Sequence, residues 1–399
     1  MRDNVVVTGG GPVGLVTALG LAQQGVKVTL IEKEQRVGVS PRAIAYLYPV
    51  LSGFEKLGIL DEIESTGHHV DAITFIDFDT KEVIAQDTTP LQGHHPHPYN
   101  LTLGQHRISE IVLRRIQDHP NVTVLFGTQL TAFEQTSDGV VLELSDDFGS
   151  RTLETGWLVG ADGASSFVRQ HLGLSYEGIT WPDRLISTNI RYDFRAAGYG
   201  EANFVVHPQY GAVIARIEGD LWRCTYREEG DLDDEGITSR MKVWMDAALP
   251  GESKDFELVQ FAPYRIHQRS ANRFRVGRVL LAGDSAHITN PIGGLGLTTG
   301  FLDAFVLYEA LAAVINGDES ASILDAYDEE RRSAFLDIIS PRASENKVLL
   351  YNMTDRAALE GALTQIRAVA ADSDARREQL LSLQDAVTPP LVGRVAAAS

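Results

Sequence analysis

The amino-acid sequence predicts an α/β fold with a parallel sheet, an inserted and mostly antiparallel sheet, and a helical C-terminal segment. Residues 5–32 predict the parallel sheet, because a β-branched strand, a glycine-rich turn, a helix and a second strand follow one another there. Runs of strand-like residues dominate residues 184–262 and predict the inserted sheet. Polar residues with helical spacing fill residues 321–399 and predict the C-terminal helices.

The composition restricts the class of protein. The chain has 399 residues, 44% of them hydrophobic, and a formal net charge of -19. This length suits two or three packed subdomains, and the charge repels nucleic acid and anionic membranes, so neither is expected as a partner. Cys224 is the single cysteine, which excludes an internal disulfide and a cysteine-bound metal. We therefore expect no bound metal. We also expect a cytoplasmic protein, since neither a signal peptide nor an apolar run near the ~20 residues of a membrane span is evident.

The first motif is Gly9-x-Gly11-x-x-Gly14, between the first strand and the first helix. Gly9 permits a tight turn, Gly11 has no Cβ and lets a pyrophosphate approach, and Gly14 allows the helix to pack on the strand. Pro12 and Val13 open this helix, where free amide groups and the helix dipole favour an anion. The motif predicts a Rossmann-type dinucleotide-binding domain.

An acidic residue follows at the expected distance. Glu32 ends the second strand, 18 residues after Gly14, and is placed to accept hydrogen bonds from a ribose diol. Its carboxylate favours a free 2′-hydroxyl, as in FAD or NAD, and repels a 2′-phosphate. We include the adjacent Lys33 in the predicted site. This motif by itself leaves FAD and NAD as alternatives.

Two further motifs separate these alternatives. Residues 160–169 read GADGASSFVR, and residues 283–287 read GDSAH, followed by Pro291 and the glycines of residues 293–296. In these three motifs, in the same order and at similar spacing, the sequence resembles the single-component FAD-dependent aromatic hydroxylases, typified by para-hydroxybenzoate hydroxylase. The resemblance covers about residues 5–335.

The second fingerprint carries most of the implied flavin contacts. The resemblance implies that Asp284, after Gly283, binds the ribityl chain, and that Pro291 closes over the reacting edge of the flavin. It also implies that backbone amides of Gly294, Gly296 and Leu297 face the pyrimidine ring and stabilise negative charge there. Asp284 has the alternative interpretation of a helix N-cap.

Three other residues have implied roles. Asp162 matches the aspartate of the DG motif, near the pyrophosphate and the route of the nicotinamide. Arg42 matches an arginine near the pyrophosphate that acts in flavin reduction, and Gln105 matches a glutamine that touches FAD. Asp162 could instead form only a turn, and Arg42 a surface ion pair.

The sequence departs from the family pattern at three positions. Ser285, Leu295 and Thr298 stand where the family often has Ala, Gln and Asn, so contacts of these side chains with the flavin are not carried over. The sequence has no second Rossmann fingerprint for a nicotinamide cofactor. The resemblance implies this absence, because in the family the nicotinamide binds transiently without a domain of its own. His287 is interpreted as structural.

The resemblance implies an FAD-dependent NAD(P)H monooxygenase that hydroxylates a small aromatic or N-heteroaromatic substrate with O2 through a flavin 4a-hydroperoxide. FAD is expected to bind non-covalently and NAD(P)H transiently, and the oligomeric state stays open between monomer and homodimer. The alternatives are an FAD-dependent reductase or oxidase of a conjugated substrate, and a non-catalytic flavin-binding redox sensor.

The inserted sheet is the predicted substrate pocket. Alternation along residues 221–227 places Arg223 on one face and Tyr226 on the other. Arg216 and Arg223 are candidates to hold a substrate carboxylate, with a solvent-facing position as the alternative for each.

Aromatic side chains complete the predicted pocket. His207, Tyr210 or Tyr226 is predicted to touch the phenolic oxygen of the substrate, and Tyr46 and Tyr48 are weaker candidates for the pocket wall.

The domain division follows from these assignments. Residues 122–126, 131–135 and 140–144 are expected to form an antiparallel layer of short strands. The predicted domains are an FAD-binding domain of residues 1–70, 100–182 and 265–330, a substrate-binding β-sheet domain of residues 71–99 and 183–264, and a C-terminal helical segment of residues 331–399.

Overall fold

The computed structural model describes residues 3–39 and 43–394. The strands in chain order are β1 (Asn4–Thr8), β2 (Lys27–Ile31), β3 (Ala45–Tyr46), β4 (His68–Val70), β5 (Ala72–Asp77), β6 (Val83–Asp87), β7 (Asn100–Thr102), β8 (Val122–Leu125), β9 (Gln129–Gln135), β10 (Val140–Asp146), β11 (Gly149–Thr155), β12 (Trp157–Gly160), β13 (Tyr176–Arg191), β14 (Ala202–Val206), β15 (Ala212–Glu218), β16 (Leu221–Glu229), β17 (Glu257–Ala271), β18 (Arg275–Val276), β19 (Val279–Leu281) and β20 (His287–Ile288).

The α-helices in chain order are α1 (Pro12–Gln23), α2 (Leu51–Lys56), α3 (Leu60–Thr66), α4 (Gln105–Gln117), α5 (Phe167–His171), α6 (Ile237–Ala248), α7 (Leu295–Asn316), α8 (Ile323–Ser333), α9 (Ser340–Lys347), α10 (Arg356–Ala371) and α11 (Ser373–Leu381). Short 3₁₀ turns lie at Tyr48–Val50, Thr89–Leu91, Gly283–Ser285 and Ser382–Ala386, and π-helical turns at Ala334–Ile339 and Val348–Asn352.

A six-stranded sheet in the order β18-β19-β12-β1-β2-β8 forms the first half of the fold. Its strands are parallel except at the β18 edge. The valines of β1 are fully buried, as expected for a strand covered on both faces. Helix α1 packs against α4 and α7. The predicted Rossmann-type architecture is confirmed.

The second half is an eight-stranded sheet in the order β20-β17-β13-β16-β15-β14-β5-β6. It is antiparallel apart from the β14–β5 pair. The α6 face carries Ile186, Trp222, Cys224 and Tyr226, which form a core with side chains of α6. The opposite side, here called the inner face, carries Leu185 and Arg223 and packs toward the loop that precedes α7.

The elements differ from the predicted ones in detail. β8 pairs in parallel with β2 instead of joining the antiparallel layer, which consists of β9, β10 and β11. β13 and β17 are long strands that run across the sequence-derived boundaries at 182/183 and 264/265. A register shift between Thr180 and Arg184 lets β13 bend as it passes between the two halves.

The expectation that no apolar run approaches the length of a membrane span was wrong for α7. Among the described residues, this 22-residue helix is long and apolar enough to cross a membrane, but 78% of its apolar window is buried inside the protein. It is apolar on all sides because α1, α8 and the turn at Gly283–Ser285 surround it.

Candidate active site

The glycine motif forms a cradle at the start of α1. Gly9 has φ +107°, and a Cβ there would lie 2.2 Å from the carbonyl oxygen of Ala161. A Cβ on Gly14 would lie 2.1 Å from the carbonyl oxygen of Gly9, so both glycines are required for packing. A Cβ on Gly11 would meet nothing within 4 Å. The space beside Gly11, at the N-terminal end of α1, is therefore open. A pyrophosphate fits there, next to the free backbone amides of the first helical turn.

Glu32 is fixed beside this cradle. Its Oε2 accepts a hydrogen bond from the Gly10 amide at 2.6 Å, and its Oε1 accepts one from the Glu34 amide at 2.9 Å. Lys33 is exposed. The carboxylate is therefore held at the end of β2 on the ribose side of the cradle, as the motif predicts for FAD or NAD.

We predict that Glu32→Ala weakens FAD binding by about one to two decades, because a ribose acceptor contributing roughly 1–3 kcal/mol is lost. The measurement is FAD titration of the apoprotein. Glu34→Ala is the matched control, since only the backbone amide of Glu34 contacts Glu32. Equal affinities of the two variants would contradict this role of Glu32.

The second fingerprint forms a tight turn after β19. Gly283 has φ +63° and donates its amide to Asp303 Oδ2 at 3.0 Å. Asp284 is half-buried, and its backbone carbonyl oxygen accepts a hydrogen bond from the Tyr176 hydroxyl at 2.9 Å. Ser285, one of the departures from the family, donates to the backbone oxygen of Ala282 at 2.7 Å. Its hydroxyl therefore serves the turn itself.

Arg169, which sequence reasoning did not single out, ties the DG motif to this turn. Its guanidinium donates to the carbonyl oxygens of Ser285 at 3.0 Å and Ala164 at 2.8 Å and lies 3.7 Å from the ring centre of Tyr176. Asp162 Oδ2 accepts the Val168 amide at 3.1 Å.

The other carboxylate oxygen of Asp162 is available to a ligand. Asp162 Oδ1 is buried without a hydrogen-bond partner in the described part of the chain. Burial raises the pKa of this carboxyl group, although hydrogen bonds from Ser166 and the following backbone act in the opposite direction. A buried acceptor beside the cradle fits a bound dinucleotide.

The start of α7 presents backbone rather than side chains. Gly294, the N-cap, has φ +70°, and a Cβ there would lie 2.9 Å from Ala45 Cβ. Thr298 donates to the Gly294 carbonyl oxygen at 2.8 Å, and Leu295 is buried in the core. The side chains of Leu295 and Thr298 are therefore engaged within the protein, and the start of α7 offers its backbone amides to a ligand.

The remaining predicted FAD residues border the same region. Pro291 is exposed and Leu297 is half-buried, on either side of the N-terminal end of α7. Gln105 is the first residue of α4, and its backbone amide donates a hydrogen bond to the Ala43 carbonyl oxygen at 3.1 Å. Arg42 lies outside the described residues.

The inner face of the large sheet brings a buried arginine toward this region. Arg223 is 7% exposed, and its Nε donates to Asn189 Oδ1 at 2.8 Å. Burial lowers the pKa of Arg223 to about 10, while Tyr264 and Tyr46 act in the opposite direction.

Apolar residues join the inner face to the loop before α7. Leu185 and Ile266 of the sheet pack with Ile292 of that loop, with Tyr264 at the edge of the cluster. Ala215, opposite Arg223 in the register, packs with Ile44 next to β3. The inner face therefore covers the loop before α7 and can exclude water from it.

Tyr226 does not belong to this pocket, contrary to expectation. Its ring stacks on Trp244 of α6 with centroids 4.2 Å apart, so it lies on the α6 face. The pleat of β16 sends adjacent side chains to opposite faces, and a residue on the Arg223 side cannot share a pocket with Tyr226.

His207 and Tyr210 also lie away from Arg223, in the β14–β15 turn. Their rings stack with centroids 5.1 Å apart, and His207 Nε2 lies 3.5 Å from Asp79 Oδ1. Burial lowers the pKa of His207. Tyr210 lines a groove with Trp244 and other residues of α6. The Tyr210 side chain therefore lies on the α6 side of the sheet.

Two further candidates, Arg216 and Tyr48, have protein partners. Arg216 donates through Nε to the Gly219 carbonyl oxygen at 2.6 Å and pairs with Glu201 at 3.5 Å. Tyr48 is buried and donates to the Leu380 carbonyl oxygen at 2.9 Å. Neither group faces the inner side of the sheet as a free donor for substrate.

The glycine cradle, the two linked motifs and the covering sheet define the class of FAD-dependent flavoprotein hydroxylases. A family model described as "FAD binding domain" matches residues 2–340. The chain belongs to this family, and within it to the single-component aromatic hydroxylases related to para-hydroxybenzoate hydroxylase. It is an FAD-dependent monooxygenase of aromatic or heteroaromatic compounds that uses a reduced nicotinamide and O2.

Named relatives cover nearly the whole chain. The 6-hydroxy-3-succinoylpyridine 3-monooxygenase HspB of Pseudomonas putida is 40% identical over 382 residues, which are 95% of this chain and 97% of the relative. The para-nitrophenol 4-monooxygenase of Pseudomonas sp. strain WBC-3 is 40% identical over 86% of each chain.

A crystal structure shares the fold across the full length. The p-nitrophenol 4-monooxygenase PnpA from Pseudomonas putida DLL-E4 has a TM-score of 0.93 and 37% identity, and the similarity covers 98% of both chains. Aklavinone-11 hydroxylase in complex with FAD and aklavinone has a TM-score of 0.78 and 27% identity, over 89% of this chain and 70% of that one.

Proposed function

We propose that the enzyme hydroxylates a phenol or hydroxylated N-heteroaromatic compound whose anionic group binds beside Arg223. The observation that carries the proposal is a buried arginine held by Asn189 on the inner face, the side of the sheet that packs with the loop before α7. The names of the two relatives share a hydroxylated ring, a phenol in one and a pyridine in the other.

We further propose that FAD lies along the N-terminal ends of α1 and α7. Bound FAD supplies the redox chemistry, namely oxidation of the nicotinamide and activation of O2. The residues proposed to hold it are Gly9, Gly11, Pro12, Val13, Gly14, Glu32, Lys33, Arg42, Gln105, Asp162, Gly283, Asp284, Pro291, Gly294, Gly296 and Leu297.

The protein contributes position and electrostatics. Amides at the start of α7 stabilise negative charge in a ring bound against them, because they are fixed donors at the positive end of a helix. Arg223 neutralises the substrate anion, and Asn189 fixes the guanidinium so that little conformational freedom is lost on binding. The inner face of the large sheet excludes bulk water.

We propose a cytoplasmic enzyme without nucleic-acid or membrane partners. The formal net charge of -19 supports this, and the one helix that meets the length and composition of a membrane span lies mostly within the protein core. The oligomeric state, monomer or homodimer, is to be measured by light scattering.

We predict that Arg223→Ala raises the dissociation constant of anionic aromatic compounds by about one to two decades and leaves neutral phenols little changed, because a charge-assisted contact is lost. Binding is read from the flavin absorbance, and NAD(P)H oxidation is followed with the same compounds. In the wild type, oxidation is expected to be slow without an aromatic compound and faster with one.

Two variants make this test specific. Arg223→Lys keeps a cation without the forked geometry and should lie between the wild type and Arg223→Ala. Arg191→Ala removes an exposed arginine of β13 that pairs with Asp220, and it should match the wild type. If Arg223→Ala retains FAD but affects neither class of compound, Arg223 does not bind the substrate.

A further inference from the structure

Tyr46 carries a buried hydroxyl group that its protein surroundings do not use. The residue is 0% exposed, and its Oη has no hydrogen-bond partner in the described part of the protein. Burying an unpaired hydroxyl costs free energy, and a phenylalanine would fill the same space without that cost. Where such a hydroxyl also borders a proposed ligand site, it is a candidate contact for the ligand.

The position of the ring is fixed by its neighbours. Tyr46 packs against Phe54 of α2 and Phe301 of α7 with ring centroids 6.2 and 6.1 Å away. Its neighbour in β3, Ala45, contacts Gly294 at the start of α7. Ile44, two residues earlier, packs with Ala215 of the large sheet, so this segment lies between the N-terminal end of α7 and the inner face.

Packing and strand register bring the Tyr46 segment close to Arg223, because Ile44, two residues before Tyr46, packs with Ala215, the register partner of Arg223. Burial raises the pKa of Tyr46 far above its ordinary value, and the charge of Arg223 is the opposing influence. Tyr46 therefore stays protonated and offers a donor close to a cation. An electron-rich or anionic oxygen complements such a pair, whereas a neutral hydroxyl group gains much less from it.

We propose that Tyr46 is a specificity-determining residue whose hydroxyl donates a hydrogen bond to the anionic oxygen that Arg223 attracts. The inference rests on the proposed function, because it requires an aromatic substrate between the inner face and α7. It adds a second recognition element, from the FAD-binding half of the fold, that selects the ionised form of the substrate.

Tyr226 provides a matched control. Its hydroxyl is also buried and without a partner among the described residues, and the residue is 3% exposed. It stacks on Trp244 on the α6 face, away from the proposed pocket. Tyr46→Phe and Tyr226→Phe therefore remove the same atom from similar environments on opposite sides of the sheet.

The test is titration of the oxidised, FAD-loaded enzyme with 4-nitrophenol and with phenol, read from the flavin absorbance between pH 6 and pH 9. 4-Nitrophenol ionises within this range and phenol stays neutral. We expect Tyr46→Phe to raise the dissociation constant of ionised 4-nitrophenol about ten- to hundredfold. The constant for phenol should hardly change, and Tyr226→Phe should leave both constants unchanged.

Thermal unfolding adds an independent readout. Tyr46→Phe should keep the wild-type unfolding temperature or raise it, since no hydrogen bond within the protein is lost. A lower unfolding temperature would show that the hydroxyl already has a protein partner and would overturn the inference.

The remaining outcomes separate this inference from the proposed function. If the wild type binds 4-nitrophenol and Tyr46→Phe binds it equally well, or loses both ligands equally, only the role of Tyr46 is overturned. If the wild type binds neither ligand and no phenol accelerates its NAD(P)H oxidation, the proposed function fails and the role of Tyr46 fails with it.

Discussion

Gly11→Val is expected to abolish retention of FAD while the chain still folds. Gly11 has φ -74° and ψ 173°, an extended conformation that valine adopts readily, and a Cβ there meets nothing within 4 Å. The isopropyl group would therefore extend into the open cradle at the start of α1, where the FAD pyrophosphate is proposed to lie. The prediction is loss of the flavin by steric exclusion.

The measurement is the ratio of flavin to protein absorbance after gel filtration, before and after incubation with excess FAD. Gly361→Val is the matched control, because Gly361 of α10 also faces open space but lies outside the cradle. Circular dichroism should show both variants folded. Normal FAD content in Gly11→Val would contradict the assignment of the cradle.

The nucleotide-binding half could be predicted from sequence because its determinants are local. Gly9, Gly11 and Gly14 lie within six positions, and their spacing already specifies a turn, an open approach and a close helix contact. The structure shows these three properties at the expected glycines. Glu32 follows on the next strand, so its position depends on one βαβ unit only.

The substrate pocket could not be predicted in the same way, because it depends on strand register and on contacts between distant segments. Arg223 meets Asn189, 34 residues earlier, only through the pairing of β16 with β13. Tyr46 lies in a two-residue strand whose neighbourhood is set by α2, α7 and the large sheet. The alternation along β16 did show that Arg223 and Tyr226 face opposite ways, and this signal excludes a shared pocket.

Helix α7 shows a different limit of sequence reasoning. Its apolar length suits a membrane span as well as a core helix, and only its packing distinguishes the two. Asp303, within this helix, is fully buried. In the structure, this aspartate is the centre of the most deeply buried ionic network described.

Asp303→Ala is expected to lower the free energy of unfolding by about 3–5 kcal/mol, the cost of leaving one member of a buried ion pair alone. Asp303 and Arg331 are both 0% exposed, and Arg331 Nε donates to Asp303 Oδ1 at 2.9 Å. Asp303 Oδ2 accepts from His287 Nε2 at 2.6 Å and from the Gly283 amide. The substitution would leave the buried Arg331 guanidinium without its carboxylate partner. It would also remove the acceptor of the Gly283 amide in the turn of the second FAD fingerprint.

The network also ties the C-terminal segment to the core, because Arg331 donates to the Ala386 carbonyl oxygen at 2.6 Å. Asp246→Ala is the control, since its exposed pair with Lys242 contributes about 0.5 kcal/mol or less. Both variants are compared by urea unfolding of the apoprotein. A loss for Asp303→Ala no larger than that for Asp246→Ala would contradict a stabilising role of the network.

The pH dependence gives the same prediction an independent signature. Burial acts to raise the pKa of Asp303, but His287 and Arg331 outweigh it through charge and hydrogen bonds, so the pKa lies below its ordinary value. A depressed carboxyl pKa contributes stability above the unfolded-state value of about 3.9 and loses it as the pH falls through the folded-state value. The difference in unfolding free energy between the wild type and Asp303→Asn should therefore be constant above about pH 5 and shrink below about pH 4. A difference that persists unchanged at low pH would show that Asp303 stabilises the fold by packing alone.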